Sequence, residues 1–137
     1  MNVSTIQSHF ASYGWSCALE TELVVTAGFS IGDVDTLIVV QWADPWIRFS
    51  IPHLMPIATE KTTPETLTKL LLLNYETRLA RFAISPDGLL GIYADLCVMD
   101  DEFTYTDFEV ALDSLCYFAE TAHNRVWDLS QLPVDEV

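Results

Sequence analysis

The hydrophobic positions along the chain follow two different periods, which divide it into helical and extended segments. Near the N-terminus, Ile6, Phe10 and Tyr13 recur at helical spacing, which predicts a helix over residues 3–13. The next segment is rich in β-branched and aromatic residues, and in places apolar and polar positions alternate, as is typical of half-buried strands. It predicts a three-stranded antiparallel meander with strands at 23–31, 37–42 and 46–51.

A second helix is predicted to begin at Thr63-Pro64-Glu65. The threonine hydroxyl can accept hydrogen bonds from free N–H groups, proline suits the first helical position, and a carboxylate complements the positive helix end. The residues that follow place leucine on more of the circumference than one buried stripe requires. These leucines are Leu67, Leu70, Leu71, Leu72 and Leu73.

The rest of the chain predicts a hairpin and a long final helix. Strands are expected at 81–85 and 89–98, because the turn between them has proline early and Gly88 where a positive φ is needed. The final helix is predicted to open at Thr106, since Glu109 three residues later completes the spacing of a capping box.

The order of elements is therefore α-β-β-β-α-β-β-α, which predicts an α+β fold. We expect a twisted antiparallel sheet of five strands with the helices packed on one face. No linker or repeat divides the chain, so residues 1–137 are predicted to form a single domain. Its tail is expected to be flexible from about residue 130.

Charge narrows the range of partners. Twenty acidic residues against six basic ones give a formal net charge of −14. Such a chain repels phosphate backbones and anionic membrane surfaces, so neither nucleic acid nor a membrane is an expected partner. The charge suits a basic partner, and it equally suits a protein that needs only to stay in solution.

The cysteines and the N-terminal residues bear on location. Cys17, Cys97 and Cys116 are odd in number and lie within apolar patterns, which predicts buried, reduced thiols. The N-terminus has no signal-peptide pattern, and no stretch approaches the ~20 apolar residues of a membrane span. We therefore expect a cytoplasmic protein.

No residue pattern indicates catalysis or a cofactor. His9, His53 and His123 have no metal-ligand spacing, and Cys116 lies about 10 Å from His123 along one predicted helix. The acidic run Asp100–Glu102 lacks the alternating ligands of a calcium loop, so it is interpreted as a solvated loop. The sequence predicts no enzyme, no bound metal and no cofactor.

Aromatic residues are more numerous than one face of a small sheet must bury. One interpretation is that they cover the sheet edge within the monomer. The other is an exposed patch for a partner, since tryptophan and tyrosine dominate such patches energetically. On this second interpretation the candidate partner-binding residues are Trp15, Trp42, Trp46 and Phe49.

The middle of the chain resembles a known group of proteins. The run Leu70-Leu71-Leu72-Leu73-Asn74-Tyr75-Glu76, followed by the hairpin from Leu79 to Gly88, is similar to the leucine-rich helix, asparagine and hairpin of the CesT-like type III secretion chaperones and the YbjN-like proteins. The resemblance in sequence extends from Thr63 to Trp127. The meander is similar to that of the group only in its topology. The meander departs from it in being unusually aromatic, with tryptophans on both sides of its second turn.

The resemblance implies a homodimer formed through the middle helix and an apolar surface that holds an extended segment of a client protein. Carried over by position, the dimer interface falls on Leu67, Leu70, Leu71, Asn74 and Tyr75. The predicted function is therefore a homodimeric chaperone or adaptor with a protein client, such as a secreted effector. Two alternatives stay open: a YbjN-like cytosolic regulator with no secretion link, and a small ligand-binding domain or enzyme.

Overall fold

A six-stranded antiparallel sheet forms the centre of the computed structural model, which describes residues 3–32, 34–54, 63–99 and 102–127. The helices are α1 (Val3–Tyr13), α2 (Pro64–Glu76) and α3 (Tyr105–Ala122), and α3 continues into a π-helical segment, His123–Trp127. The strands are β1 (Ala18–Thr21), β2 (Val24–Ile31), β3 (Val34–Ala43), β4 (Trp46–Ile51), β5 (Ala80–Ile84) and β6 (Leu90–Cys97). Their order across the sheet is β1-β2-β3-β4-β6-β5, which confirms the predicted α+β class.

Among the strands in the described ranges, β1 is the one that the sequence pattern did not predict, and it raises their number from five to six. It pairs with β2 through Leu19 and Val25, and the register shifts between Leu19 and Thr21. All four of its residues are exposed. A strand with no buried face has no alternation of apolar and polar residues, which is why the hydrophobic pattern missed it.

The core lies between one face of the sheet, here called the inner face, and helices α1 and α3, and Leu70 and Leu73 of α2 complete it beside β5. Helix α3 packs on β4, β5 and β6, and α1 packs on β2 and α3. Burying each large apolar side chain stabilises the fold by about 1.5–3 kcal/mol. The largest side chains removed from solvent include Ile6, Phe10, Ile38, Ile47, Phe49, Ile51, Ile92, Phe108, Leu112 and Leu115.

The N-terminus of α3 differs from the prediction by two residues. The capping box was expected at Thr106 and Glu109, but Thr104 is the N-cap residue and Asp107 completes the box. The Thr104 hydroxyl accepts from the backbone N–H of Asp107 at 3.1 Å, and the Asp107 carboxylate accepts from the N–H of Thr104 at 3.2 Å. Both threonines have an acidic residue three positions later, so the spacing alone does not show which of them caps the helix.

Tertiary packing selects the earlier cap. With Thr104 as the N-cap, Phe103 precedes it and Phe108 takes the fourth helical position, the two positions of a hydrophobic staple. Both rings are buried, and their centroids lie 6.4 Å apart. A helix capped by Thr106 would instead place Tyr105 and the exposed Val110 at these positions, and the buried contact would be lost.

Two other local predictions are confirmed by geometry. The Thr63 hydroxyl accepts from the N–H of Thr66 at 3.1 Å, and Pro64 is the first residue of α2. In the β5–β6 turn, Gly88 has a φ of 81° and donates to the carbonyl of Ser85 at 2.8 Å. A residue with a Cβ atom is strained at that φ.

The cysteines only partly match the expectation of buried thiols. All three are free, but Cys97 is exposed at the end of β6, while Cys17 and Cys116 are half-buried. Residues 128–137, which contain the predicted tail, and Asp100 and Asp101 of the acidic loop lie outside the described residues.

Candidate protein-binding surfaces

Helix α2 has apolar residues on two sides. Leu70 and Leu73 point into the core, each with 3% of its surface exposed, and the helix packs on the edge strand β5. Leu71 and Tyr75 face away from the core and are 70% and 80% exposed. Leu72 is exposed as well. The side formed by Leu71, Leu72 and Tyr75 is called here the α2 outer surface.

Asn74 connects α2 to the free edge of β5. Its side-chain oxygen accepts from the backbone N–H of Phe82 at 2.8 Å, and its Nδ2 donates to the Phe82 carbonyl at 3.3 Å. The carboxamide therefore takes the place of a neighbouring strand at this point of the edge. In addition, the Thr77 hydroxyl donates to the Asn74 carbonyl at 2.9 Å, which ties the end of the helix to the same site.

Replacing Asn74 by alanine is expected to lower the free energy of unfolding by about 1–3 kcal/mol, because it leaves both backbone groups of Phe82 without their partner. Urea unfolding followed by circular dichroism measures the change. Thr68→Ala is the matched control, since Thr68 is exposed on the same helix and bonds only to a carbonyl of its own first turn. Equal losses in the two variants would contradict a special role for the Asn74 carboxamide.

The residues predicted for the dimer interface occupy different environments. Leu71 and Tyr75 belong to the α2 outer surface, and Leu67 is half-buried at the start of the helix. Leu70 is part of the core, and the Asn74 side chain is engaged by Phe82. An apolar groove runs between α2 and β5. It is lined by Leu67, Leu70, Leu71, Asn74, Phe82, Ala83, Ile84 and Leu90.

The four aromatic residues predicted to bind a partner do not form one patch. Trp15 is half-buried, with its ring 6.1 Å from that of Phe29, and Trp42 is half-buried against the core. Trp46 is exposed on the opposite, outer face of the sheet, because it pairs with Ala43 while Trp42 pairs with Ile47. Phe49 is completely buried. It therefore stabilises the core and is not accessible to a partner.

Within the described residues, one edge of the sheet is open, because strand β1 has a single neighbour, β2. Two apolar side chains are exposed at this edge: Leu19, within β1, and Leu23, just after it. An edge strand presents unpaired N–H and C=O groups to which another extended chain can pair. The sequence pattern did not identify this edge.

The outer face of the sheet holds a cluster of charges. Arg48 donates to Asp95 from Nε at 2.8 Å and from Nη2 at 3.2 Å, and Arg81 donates to the same carboxylate from Nη2 at 2.7 Å. The Arg48 guanidinium also lies over the Tyr93 ring, 5.2 Å from its centroid. Partial burial raises the pKa of Asp95, but the hydrogen bonds from the two arginines outweigh it and hold that pKa below its usual value.

The half-buried cysteine on α3 is not an activated nucleophile. Burial, and then the nearby carboxylates of Glu120 and Asp113, raise the pKa of the Cys116 thiol to about 12. A thiol with that pKa is protonated at neutral pH and is therefore a poor nucleophile. Among the described residues, no group of three or more His, Cys, Asp or Glu side chains is placed to hold a metal ion.

This architecture is the fold of the type III secretion chaperones and of YbjN. The structure of the Yersinia pestis type III secretion chaperone SycH, in complex with a stable fragment of YscM2, superposes with a TM-score of 0.56 at 16% identity, covering 87% of this chain and 97% of that one. The predicted resemblance is thus confirmed at the level of the fold.

Two further solved structures share the fold. A chain of the ExsC–ExsE complex superposes with a TM-score of 0.64 at 14% identity, over 92% of this chain and 97% of that one. YbjN from E. coli superposes with a TM-score of 0.60 at 15% identity, over 90% of this chain and 93% of that one. Neither a protein-family model nor a curated protein sequence matches the chain. None of the helices in the described ranges is long and apolar enough to cross a membrane.

Proposed function

We propose that the protein is a non-enzymatic, homodimeric chaperone or adaptor that holds an extended segment of a partner protein. The observation that carries this proposal is the open edge of β1 beside the exposed Leu19 and Leu23. A client segment would add to the sheet as a further strand, with main-chain hydrogen bonds supplying affinity and side-chain contacts supplying selectivity.

The two edges of the sheet differ in a way that favours β1. At β5, α2 packs against the strand and Asn74 already occupies the backbone groups of Phe82. At β1, the whole strand is exposed, and in the part of the chain that the structure describes it pairs with β2 alone. A client strand therefore meets fewer obstacles at β1 than at β5.

Similar structures support a protein partner. The chaperone SycH was solved with a fragment of YscM2, and ExoU–SpcU is a heterodimeric complex from the type III secretion system of Pseudomonas aeruginosa. The latter superposes with a TM-score of 0.55 at 18% identity, over 90% of this chain and 96% of that one. Binding of an effector-like client is the corresponding proposal for this chain.

The α2 outer surface supports the homodimer. Leucine and tyrosine side chains exposed on a helix that is already packed on its other side are typical of a helix–helix contact. In a two-fold dimer the same surface is used by both copies, so Leu71 and Tyr75 would face their counterparts. The net charge of −14 opposes association beyond this contact.

The similarity to YbjN favours a second candidate function, a cytosolic regulator with no link to secretion. Both candidate functions are compatible with the fold and the surfaces described above. They differ in the identity of the partner protein. An effector or secretion-apparatus gene beside the gene for this protein would favour the chaperone, and an unrelated neighbourhood would favour the regulator.

Affinity capture from the native host, quantified by mass spectrometry, tests the proposed client site. We expect Leu19→Lys combined with Leu23→Lys to reduce recovery of the client about tenfold, because lysine on an edge strand discourages pairing and the apolar contacts are lost. Val110→Lys combined with Tyr117→Lys, on the exposed side of α3, is the control with matched charge. Equal recovery of every captured protein by all three baits would contradict the assignment of the client to β1.

A further inference from the structure

Among the elements that the structure describes, the packing that forms the core leaves the outer face of the sheet uncovered. Helices α1 and α3 pack on the inner face, and α2 packs at the β5 edge. On β4, β6 and β5 the outward positions hold three charged side chains, Arg48, Asp95 and Arg81. Their outward neighbours on these strands are neutral: Trp46, Ser50, Ala83, Gly91, Tyr93 and Cys97.

This cluster has an excess of positive charge in a strongly acidic protein. Two arginines share one carboxylate, whereas Lys69 pairs with Glu65 and Arg125 pairs with Glu76 one to one. The side chains of Arg48 and Arg81 are 47% and 46% exposed, but that of Asp95 is only 21% exposed. The two arginine side chains are therefore more exposed to solvent than the aspartate side chain that they share.

Both arginines have N–H donors beyond those that bind Asp95. Arg48 uses Nε and Nη2 for Asp95, and Arg81 uses Nη2 only, so further N–H groups remain on both guanidiniums. Cross-strand bonds to Asp95 and the ring of Tyr93 hold the Arg48 guanidinium in place before any ligand arrives. A guanidinium held in this way loses little entropy when it binds a second carboxylate.

An aromatic side chain, Trp46, lies next to the charged cluster on the outer face. A shallow hollow on the outer face is lined by Gln41, Ala43, Trp46, Arg48 and Asp95. Trp46 is about half exposed there, so a flat apolar surface lies beside the guanidinium. The site thus combines a carboxylate receptor with a place for an apolar side chain, which suits a peptide better than a bare anion.

We propose that this outer face is a second docking surface, which takes an acidic segment of a partner protein. A Glu or Asp side chain of the segment binds the guanidiniums of Arg81 and Arg48, and a neighbouring apolar side chain packs on Trp46. The local excess of arginine favours an acidic ligand, and a short segment is repelled less by the net charge of −14 than a whole copy of this chain would be at this face.

The test is an NMR titration of the 15N-labelled protein with a blocked peptide, acetyl-Ser-Val-Glu-Val-Glu-Leu-Ser-amide. We expect saturable shifts of amides in β4, β5 and β6. Replacing both glutamates of the peptide by glutamine should weaken binding about tenfold, the usual effect of losing one charge-assisted pair. Arg81→Gln should weaken it to a similar degree, and Arg81→Lys should do so less because it keeps the charge. Lys69→Gln, which removes an exposed cation from α2, should leave binding unchanged.

Four results would overturn the proposal. The first is equal affinity for the glutamate and glutamine peptides, and the second is a set of shifts confined to β1 or α2. A third is that the same amides shift with protein concentration alone, which would assign the face to a second copy. The fourth is that sodium acetate at matched carboxylate concentration reproduces the shifts, which would reduce the site to a receptor for free anions. The Leu19→Lys, Leu23→Lys variant should bind the peptide normally, so this site and the β1 client site can fail independently.

Discussion

Replacing Phe108 by alanine is expected to lower the free energy of unfolding by about 3–5 kcal/mol. Phe108 is completely buried on α3, where its ring lies 4.9 Å from that of Phe10 and 5.6 Å from that of Phe49. It also packs against Phe103, which precedes the helix cap. The Phe108 side chain therefore joins α3 to α1, to β4 and to the segment that precedes α3.

The cost is large because alanine leaves a cavity with walls contributed by several elements, which cannot all move inwards together. Natural domains are stable by about 5–15 kcal/mol, so the variant should lose a large share of its stability. Urea unfolding monitored by tryptophan fluorescence provides the measurement. Val110→Ala, on the exposed side of the same helix, should change stability by no more than about 0.5 kcal/mol. A loss of less than about 1 kcal/mol for Phe108→Ala would contradict the packing described for the core.

The second large effect is expected in the proposed dimer. Leu71→Glu combined with Tyr75→Glu should convert a dimer to a monomer over the range of concentrations used for light scattering. Each large apolar side chain at the centre of an interface contributes about 2 kcal/mol or more, and glutamates facing each other across a two-fold axis repel. Together these effects raise the dissociation constant about a thousandfold or more.

The choice of residues matters for this test. Both side chains are largely exposed in the monomer, so their replacement leaves the core intact. Leu70 is unsuitable although it was predicted for the same interface, because it is 3% exposed and a glutamate there would disrupt folding. Val110→Glu combined with Tyr117→Glu adds the same charge on α3 and should leave the dimer unchanged. A wild-type protein that is monomeric throughout, or a dimer that survives in the α2 variant, would refute this interface.

Local chemistry explains the predictions that were confirmed. The cap of α2 depends on Thr63 and Pro64, which act within one turn of the chain, and the β5–β6 turn depends on the freedom of Gly88 at positive φ. The alternation of apolar and polar residues in β4 matches the structure, which buries Ile47 and exposes Arg48. Each of these features needs only neighbours along the chain.

Features that depend on distant residues were missed or misplaced. Two equally spaced capping boxes were available for α3, and the staple between Phe103 and Phe108 selected the earlier one. The charge cluster requires β4 to pair with β6, which brings Arg48 and Asp95 together from 47 positions apart. Alternation within a strand indicates which side chains share a face, but it contains no information about which strand is the neighbour.

The amino-acid sequence was enough to predict the α+β class, the buried strands and their order along the chain, and the presence of surplus apolar side chains. It was enough because burial imposes a period on the chain, and periods are visible without a structure. Which of these side chains remain exposed depends on how the elements pack against one another. Leu70 and Leu71 are adjacent and chemically identical, but the contact of α2 with β5 buries one and leaves the other in solvent. The open edge of β1 is also visible only in the folded sheet. A strand is at an edge when no other strand pairs with it on one side, and no local pattern of residues encodes which strands pair.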